Sequence, residues 1–189
     1  MTDIVARPHP QIPSGPAAAA LQQVAASEAA LGVRLDYLRE MAETGSPILA
    51  RMQALTALNR ETARASDLPA DVRAFATLGA VMHDDCGECV QIHVNLDRAA
   101  GIDAGLLQAA LDRRIDALPA PLALAWQFGA AVAANDPAME ELRERMEQAH
   151  GRAAIVDLAF SMAVARFYPT VKRAMGYARS CSLVQVKAA

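Results

Sequence analysis

The chain has 189 residues, 53% hydrophobic but only 4% aromatic, with 21 acidic against 18 basic side chains and a formal charge of −3. That length suits one domain or two intimately packed halves. The charge pattern offers no basic patch for nucleic acid and no Lys/Arg-rich amphipathic stretch for a membrane surface, and no apolar run approaches the roughly 20 residues of a transmembrane helix.

With so few aromatics, alanine and aliphatic side chains must build the core, a composition that favours closely packed helices over sheets. Residues 1–15 carry Pro8, Pro10 and Pro13 with little periodicity. They read as an extended or disordered arm, free or laid on a neighbour. Acidic and proline residues stand where a signal peptide needs an apolar core, so a cytoplasmic location is expected. A single all-helical domain is expected over residues 16–180, then a tail over 181–189.

An alanine-rich helix is expected over 16–31 and another over 34–44, stopped by Gly45. Pro47 sits in the first turn of a third, running to about Ala65 with Ile48, Met52, Leu55 and Leu58 on one face. Ser66-Asp67-Leu68-Pro69 breaks the chain before a helix over 70–82. A fifth helix begins near Cys86 and runs to about Ala100, with Asp84 or Asp85 placed to cap it. Further helices follow over about 104–113, from Leu118-Pro119 to 134, from Asn135-Asp136-Pro137 to 150, and over 152–179 with a kink expected at Pro169. Strand signals are absent, and no strict internal repeat is present.

Cys86-Gly-Glu-Cys89, followed four residues later by His93, concentrates the chemistry of this chain. With Cys86 at zero, Cys89 falls at about 300° and His93 at about 340° on a helical projection. All three then share one narrow face, and helix N-terminal amides stabilise a thiolate there. A neutral imidazole at i+4 from Cys89 can take its proton. The resulting thiolate can attack a peroxide or a disulfide, and the other cysteine can resolve the product as an intramolecular disulfide. The helix start favours Cys86 as the nucleophile, whereas proximity to His93 favours Cys89. Two other readings stand beside this one: a zinc site with His83 as fourth ligand, which lacks the usual second ligand pair, and two buried cysteines with a core histidine.

The run from Arg73-Ala74-Phe75 to Gly101, with Cys86, Cys89, His93 and the Ala100-Gly101-Ile102 exit, resembles the alkylhydroperoxidase AhpD-like family of the carboxymuconolactone decarboxylase superfamily. Asp157-Leu158-Ala159 and Arg166-Phe167 are similar to that family's C-terminal helix. The resemblance implies an all-helical fold and assembly into dimers, trimers or hexamers. It also implies thiol-dependent peroxidase or disulfide reductase activity with no metal or organic cofactor. The catalytic set it implies is Cys86, Cys89 and His93, with a peroxide or disulfide as substrate and an external thiol or dithiol as reductant. The family's glutamate, which relays a proton through the histidine, falls here at Ala74. That departure supports an alternative: a non-catalytic helical assembly module or a redox sensor. The lactone or decarboxylase chemistry of the wider superfamily needs no CxxC and finds no recognisable site.

The remaining expectations are smaller. Glu88 projects at about 200°, away from the thiol face, and reads as a solvated or cap-proximal carboxylate. His83 reads as a surface residue in a turn, and His150 as a cation at a helix C-terminus. Cys181 reads as a spare thiol in the tail. Trp126, Phe128, Phe160 and Phe167 read as core. Tyr168, Lys172 and Arg173 are candidates to face a pocket.

Overall fold

Alanine and glycine set how closely the helices approach one another. The computed structural model describes residues 15–177 and 184–186, so most of the N-terminal arm and Cys181 lie outside the described residues. These residues form eight α-helices and no strand: α1 Pro16–Leu31, α2 Asp36–Glu43, α3 Ile48–Ala65, α4 Ala70–Met82, α5 Gly87–Ala99, α6 Ala104–Leu111, α7 Ala120–Ala134 and α8 Met139–Ala174. A short 3-10 turn, Ile115–Ala117, precedes α7.

Local chemistry fixes most of the boundaries. Pro16 opens α1, and Gly32, at φ 68°, closes it in the left-handed conformation that glycine adopts without a Cβ penalty. Asp103 caps α6, its carboxylate accepting from the Leu106 amide at 3.0 Å. Two long helices were expected at the C-terminus, and α8 is indeed interrupted, at Gly151 with φ 84° and ψ 165°. The expected kink at Pro169 is not seen as a dihedral break, because helical dihedrals continue through it to Ala174. The helix also stops before the expected Arg179. Gly176, at φ 80°, turns the chain left-handed, and the Tyr177 amide donates back to the Lys172 carbonyl at 2.8 Å.

Helix α4 is the centre of the molecule, buried without interruption from Ala74 to Val81. It packs against α7, α8 and the start of α5, with α6 alongside, forming one large apolar core that contains Phe75, Leu78, Leu107, Met146 and Leu158. A smaller core joins α1, α2 and α3 through Val24, Leu35, Tyr37, Met41, Leu49 and Met52. Tyr168 and Val171 of α8 and Ile92 of α5 pack against this second core. Of the face expected on α3, Met52 is inside, together with Leu49, whereas Ile48 and Leu58 face out. Contrary to expectation, α8 holds a stretch long and apolar enough to pass for a membrane span by length and composition. In the fold, Ile155, Leu158 and Met162 of this helix lie in the large core.

Candidate functional site

The loop between α4 and α5 delivers the two cysteines. Asp85 takes φ 49°, a left-handed turn that non-glycine residues seldom adopt. Cys86 follows as the N-cap of α5, and Cys89 lies in the first turn. Neither Asp84 nor Asp85 caps this helix through its side chain, contrary to expectation. Asp84 instead turns inward, where Arg166 of α8 donates to both its oxygens at 2.9 and 3.1 Å. Arg173 donates to the Asp84 carbonyl at 2.6 Å. Bidentate guanidinium–carboxylate pairing fixes geometry as well as charge, so α8 clamps the loop that presents the dithiol.

The two sulfurs are 2.8 Å apart as free, hydrogen-bonded thiols. Both side chains are buried, Cys86 at 3% and Cys89 at 4% exposure. The hydrogen bond between the two sulfurs holds the Cys86 thiol well below its ordinary range. Burial opposes this, while the Cys89 amide and the Lys172 charge reinforce it. Cys89 moves the opposite way, pushed up by its bond to Cys86 and by burial. Of the two candidate nucleophiles, Cys86 therefore carries the thiolate character.

The charge beside the sulfurs comes from α8. Lys172 is only 2% exposed, and its ammonium donates to the Glu88 carboxylate, inside the CxxC motif itself. Nζ also stands 5.6 Å from the centroid of the Tyr37 ring, within cation–π range. Burial pushes the Tyr37 phenol above its ordinary value, and the two cysteines and Glu88 push it the same way. Glu88 keeps the solvated, first-turn place expected from its projection, 43% exposed on its side chain, and is in addition the partner of a buried cation. Tyr37 belongs to the small core and the cysteines to the large one, so the dithiol sits at the seam between them.

His93 lies on α5 four residues beyond Cys89, half-buried, and burial pushes its imidazole down to about 4. It is therefore neutral near pH 7. Among the described residues no hydrogen bond joins it to either sulfur; the sulfurs bond each other. One turn further on, burial raises the Asp97 carboxyl to about 7, and Oδ2 is enclosed with no hydrogen-bond partner. Cys89, His93 and Asp97 follow at i, i+4 and i+8, a spacing already visible in the sequence. Ala74 is buried in α4 and brings no ionisable group.

Among the described residues, no group of three His, Cys, Asp or Glu side chains is placed to hold a metal ion. His83, which the alternative zinc reading would use as fourth ligand, is exposed in a turn, as expected of a surface residue, and borders a different feature. This is a hollow of about 530 Å³ beside Trp126, Arg113 and Arg145, which neither cysteine lines. Trp126 and Phe128 are core as expected, but Phe167 is exposed at 36%. Of Tyr168, Lys172 and Arg173, Lys172 reaches the Glu88 carboxylate inside the CxxC motif and Arg173 reaches the Asp84 carbonyl before it. Sequence reasoning missed Tyr37 and Asp97 altogether, and for Tyr37 no local spacing signals the contact. Comparisons with protein-family models, with curated proteins and with solved structures give no match for this chain.

Proposed function

We propose that the chain is a thiol-dependent oxidoreductase, of the kind its resemblance to the AhpD-like family implies, that cycles Cys86 and Cys89 between dithiol and disulfide. The observation that carries this reading is the 2.8 Å separation of two free sulfurs whose protonation is driven apart. A pair so close converts to a disulfide with little backbone movement.

The Cys86 thiolate attacks the distal oxygen of a hydroperoxide. The O–O bond breaks, the alkoxide takes up the proton that Cys86 released on ionising and leaves as alcohol, and Cys86 becomes a sulfenic acid. The Cys89 sulfur then attacks Cys86, forming the S–S bond and expelling hydroxide, which combines with the Cys89 proton as water. His93, being neutral, carries that proton. An external dithiol restores both thiols by exchange and leaves as its own disulfide. A disulfide substrate enters by the same exchange at Cys86, without the sulfenic step. The setting proposed for this chemistry is the cytoplasm, where thiols are kept reduced.

Peroxide consumption with a defined dithiol donor tests the proposal. Wild-type protein turns over, and Cys86→Ser and Cys89→Ser each abolish the catalytic cycle; unchanged turnover in both variants refutes it. A redox sensor without turnover is the second reading, favoured by Ala74 and by the burial of both sulfurs. It gives stoichiometric oxidation of the thiols by peroxide and no steady state with the donor. A closed homo-oligomer belongs to the same proposal, supported by the outward-facing Leu58, Leu96 and Val156. Light scattering that returns the 20.0 kDa monomer mass rejects the assembly alone.

A further inference from the structure

A buried lysine needs a reason to be charged. Transfer of an ammonium out of water is costly unless it is paired and hydrogen-bonded. Lys172 meets that demand through Glu88 on α5 and the Tyr37 ring on α2. Glu88, however, is 43% exposed on its side chain and has water as an alternative partner, whereas Lys172 is held inside. The arrangement fixes a buried cation on the CxxC segment itself, between the Glu88 carboxylate and the Tyr37 ring.

We infer that Lys172 is the counter-ion of the Cys86 sulfur, a positioning residue that Glu88 competes for and the Tyr37 ring holds in place. The inference rests on the dithiol reading above for its meaning in turnover, although its test does not require turnover. Among the described residues, the charged and titratable groups around Cys86 are few. Cys89 and Glu88 come from α5, with His93 a turn beyond. Tyr37 comes from α2, and Lys172 from α8. Asp84 precedes Cys86 in the loop, but its carboxylate is already taken by Arg166, and Arg173 is on its carbonyl. Among these groups Lys172 favours a negative charge on Cys86, and Glu88 opposes it.

This opposition gives the test its sign. Lys172→Met keeps most of the unbranched apolar stem and removes the charge, while Glu88→Gln removes the competing anion. The readout is the pH midpoint of Cys86 alkylation by iodoacetamide in the reduced full-length chain, mapped by mass spectrometry. Lys172→Met should raise the midpoint by about one pH unit, the scale of an opposite charge a few ångströms away. Glu88→Gln should lower it, and Lys172→Arg should stay near wild type. A lysine that merely packs moves the midpoint in neither direction, or in the same direction for both variants, and either result overturns the inference. If Lys172→Met does not fold, Glu88→Gln decides: a midpoint that stays or rises overturns the counter-ion role. Peroxide turnover is measured on the same samples. Loss of the opposed midpoints with turnover intact rejects Lys172 alone, and opposed midpoints without turnover reject the oxidoreductase reading alone.

Discussion

Gly129 of α7 lies so close to Ala76 of α4 that a Cβ added to it would stand 1.9 Å from the Ala76 carbonyl oxygen. Gly79 makes the reciprocal approach: a Cβ there would stand 2.2 Å from the Trp126 carbonyl oxygen. The obstacles are backbone atoms, which cannot rotate away as a side-chain tip can. Gly129→Ala and Gly79→Ala must therefore push α4 and α7 apart. Each should destabilise the fold by about 3 kcal/mol, the upper part of the range for overpacked cores, read as a lowered midpoint in urea. An unchanged midpoint would show that these helices tolerate a wider crossing.

Arg166 and Asp84 are 82 residues apart and hold the dithiol loop to α8. Arg166→Ala leaves a buried carboxylate without its bidentate partner. Because Arg166 is itself one-third exposed, water repays part of that loss, and about 2 kcal/mol of destabilisation is expected rather than the larger cost of a fully enclosed pair. The loop should also loosen at Asp85, so that Cys86 and Cys89 close a disulfide more slowly with diamide. If the closure rate in Arg166→Ala equals that of wild type, the clamp plays no part in aligning the sulfurs.

Glu28 ties α1 to α2. Its carboxylate accepts from the Leu35 amide at 2.8 Å and from Arg39 at 2.9 Å. The Arg39 hydrogen bond is the largest cause of a carboxyl held down to about 2, against an ordinary 4.5. A depressed acid contributes stability that is present above its unfolded value and lost as the pH falls through the folded one. Glu28→Gln should cost about 1 kcal/mol near neutrality, with the deficit shrinking between pH 4.5 and 2. A deficit that stays constant over that acid range would separate Glu28 from the titration.

Helix boundaries were legible because local chemistry writes them. The reading of 70–82 coincides with α4, where Pro69 stops what comes before and the turn at His83 ends it. The thiol face was legible for the same reason: 3.6-residue periodicity places Cys86 and Cys89 together. What failed was non-local. Asp84 reads as a cap until Arg166 arrives from the far end of the chain. Glu88 is exposed as its projection implies, but no local spacing signals the lysine that reaches it from α8. Phe167 has the composition of a core residue, yet its position on α8 turns it outward. The glycines at the α4–α7 crossing look like any helical glycine, since the carbonyl that forbids a Cβ belongs to another helix. Asp97 was open to discovery, because it extends the His93 face by one turn, but nothing in local spacing signals that its carboxyl is enclosed.

The last prediction concerns that pair. Burial raises Asp97 from 3.8 to about 7 and lowers His93 from 6.5 to about 4. The signs oppose. Asp97 binds a proton in the folded state that the unfolded chain releases, so its contribution is fully present below pH 3.8 and is lost as the pH rises through about 7. His93 refuses a proton that the unfolded chain accepts, so its contribution is present above pH 6.5 and is lost as the pH falls through about 4. Between about pH 4 and 6.5 the two slopes cancel in the wild type. Asp97→Asn should unmask the histidine, giving stability that rises with pH across that window by about 1 kcal/mol per pH unit. His93→Gln should unmask the carboxyl, giving stability that falls with pH over the same window. The double variant should restore the wild-type slope. Urea denaturation at several pH values between 4 and 7 measures all four proteins, and parallel slopes in the two single variants would show that one of these side chains is solvated rather than enclosed.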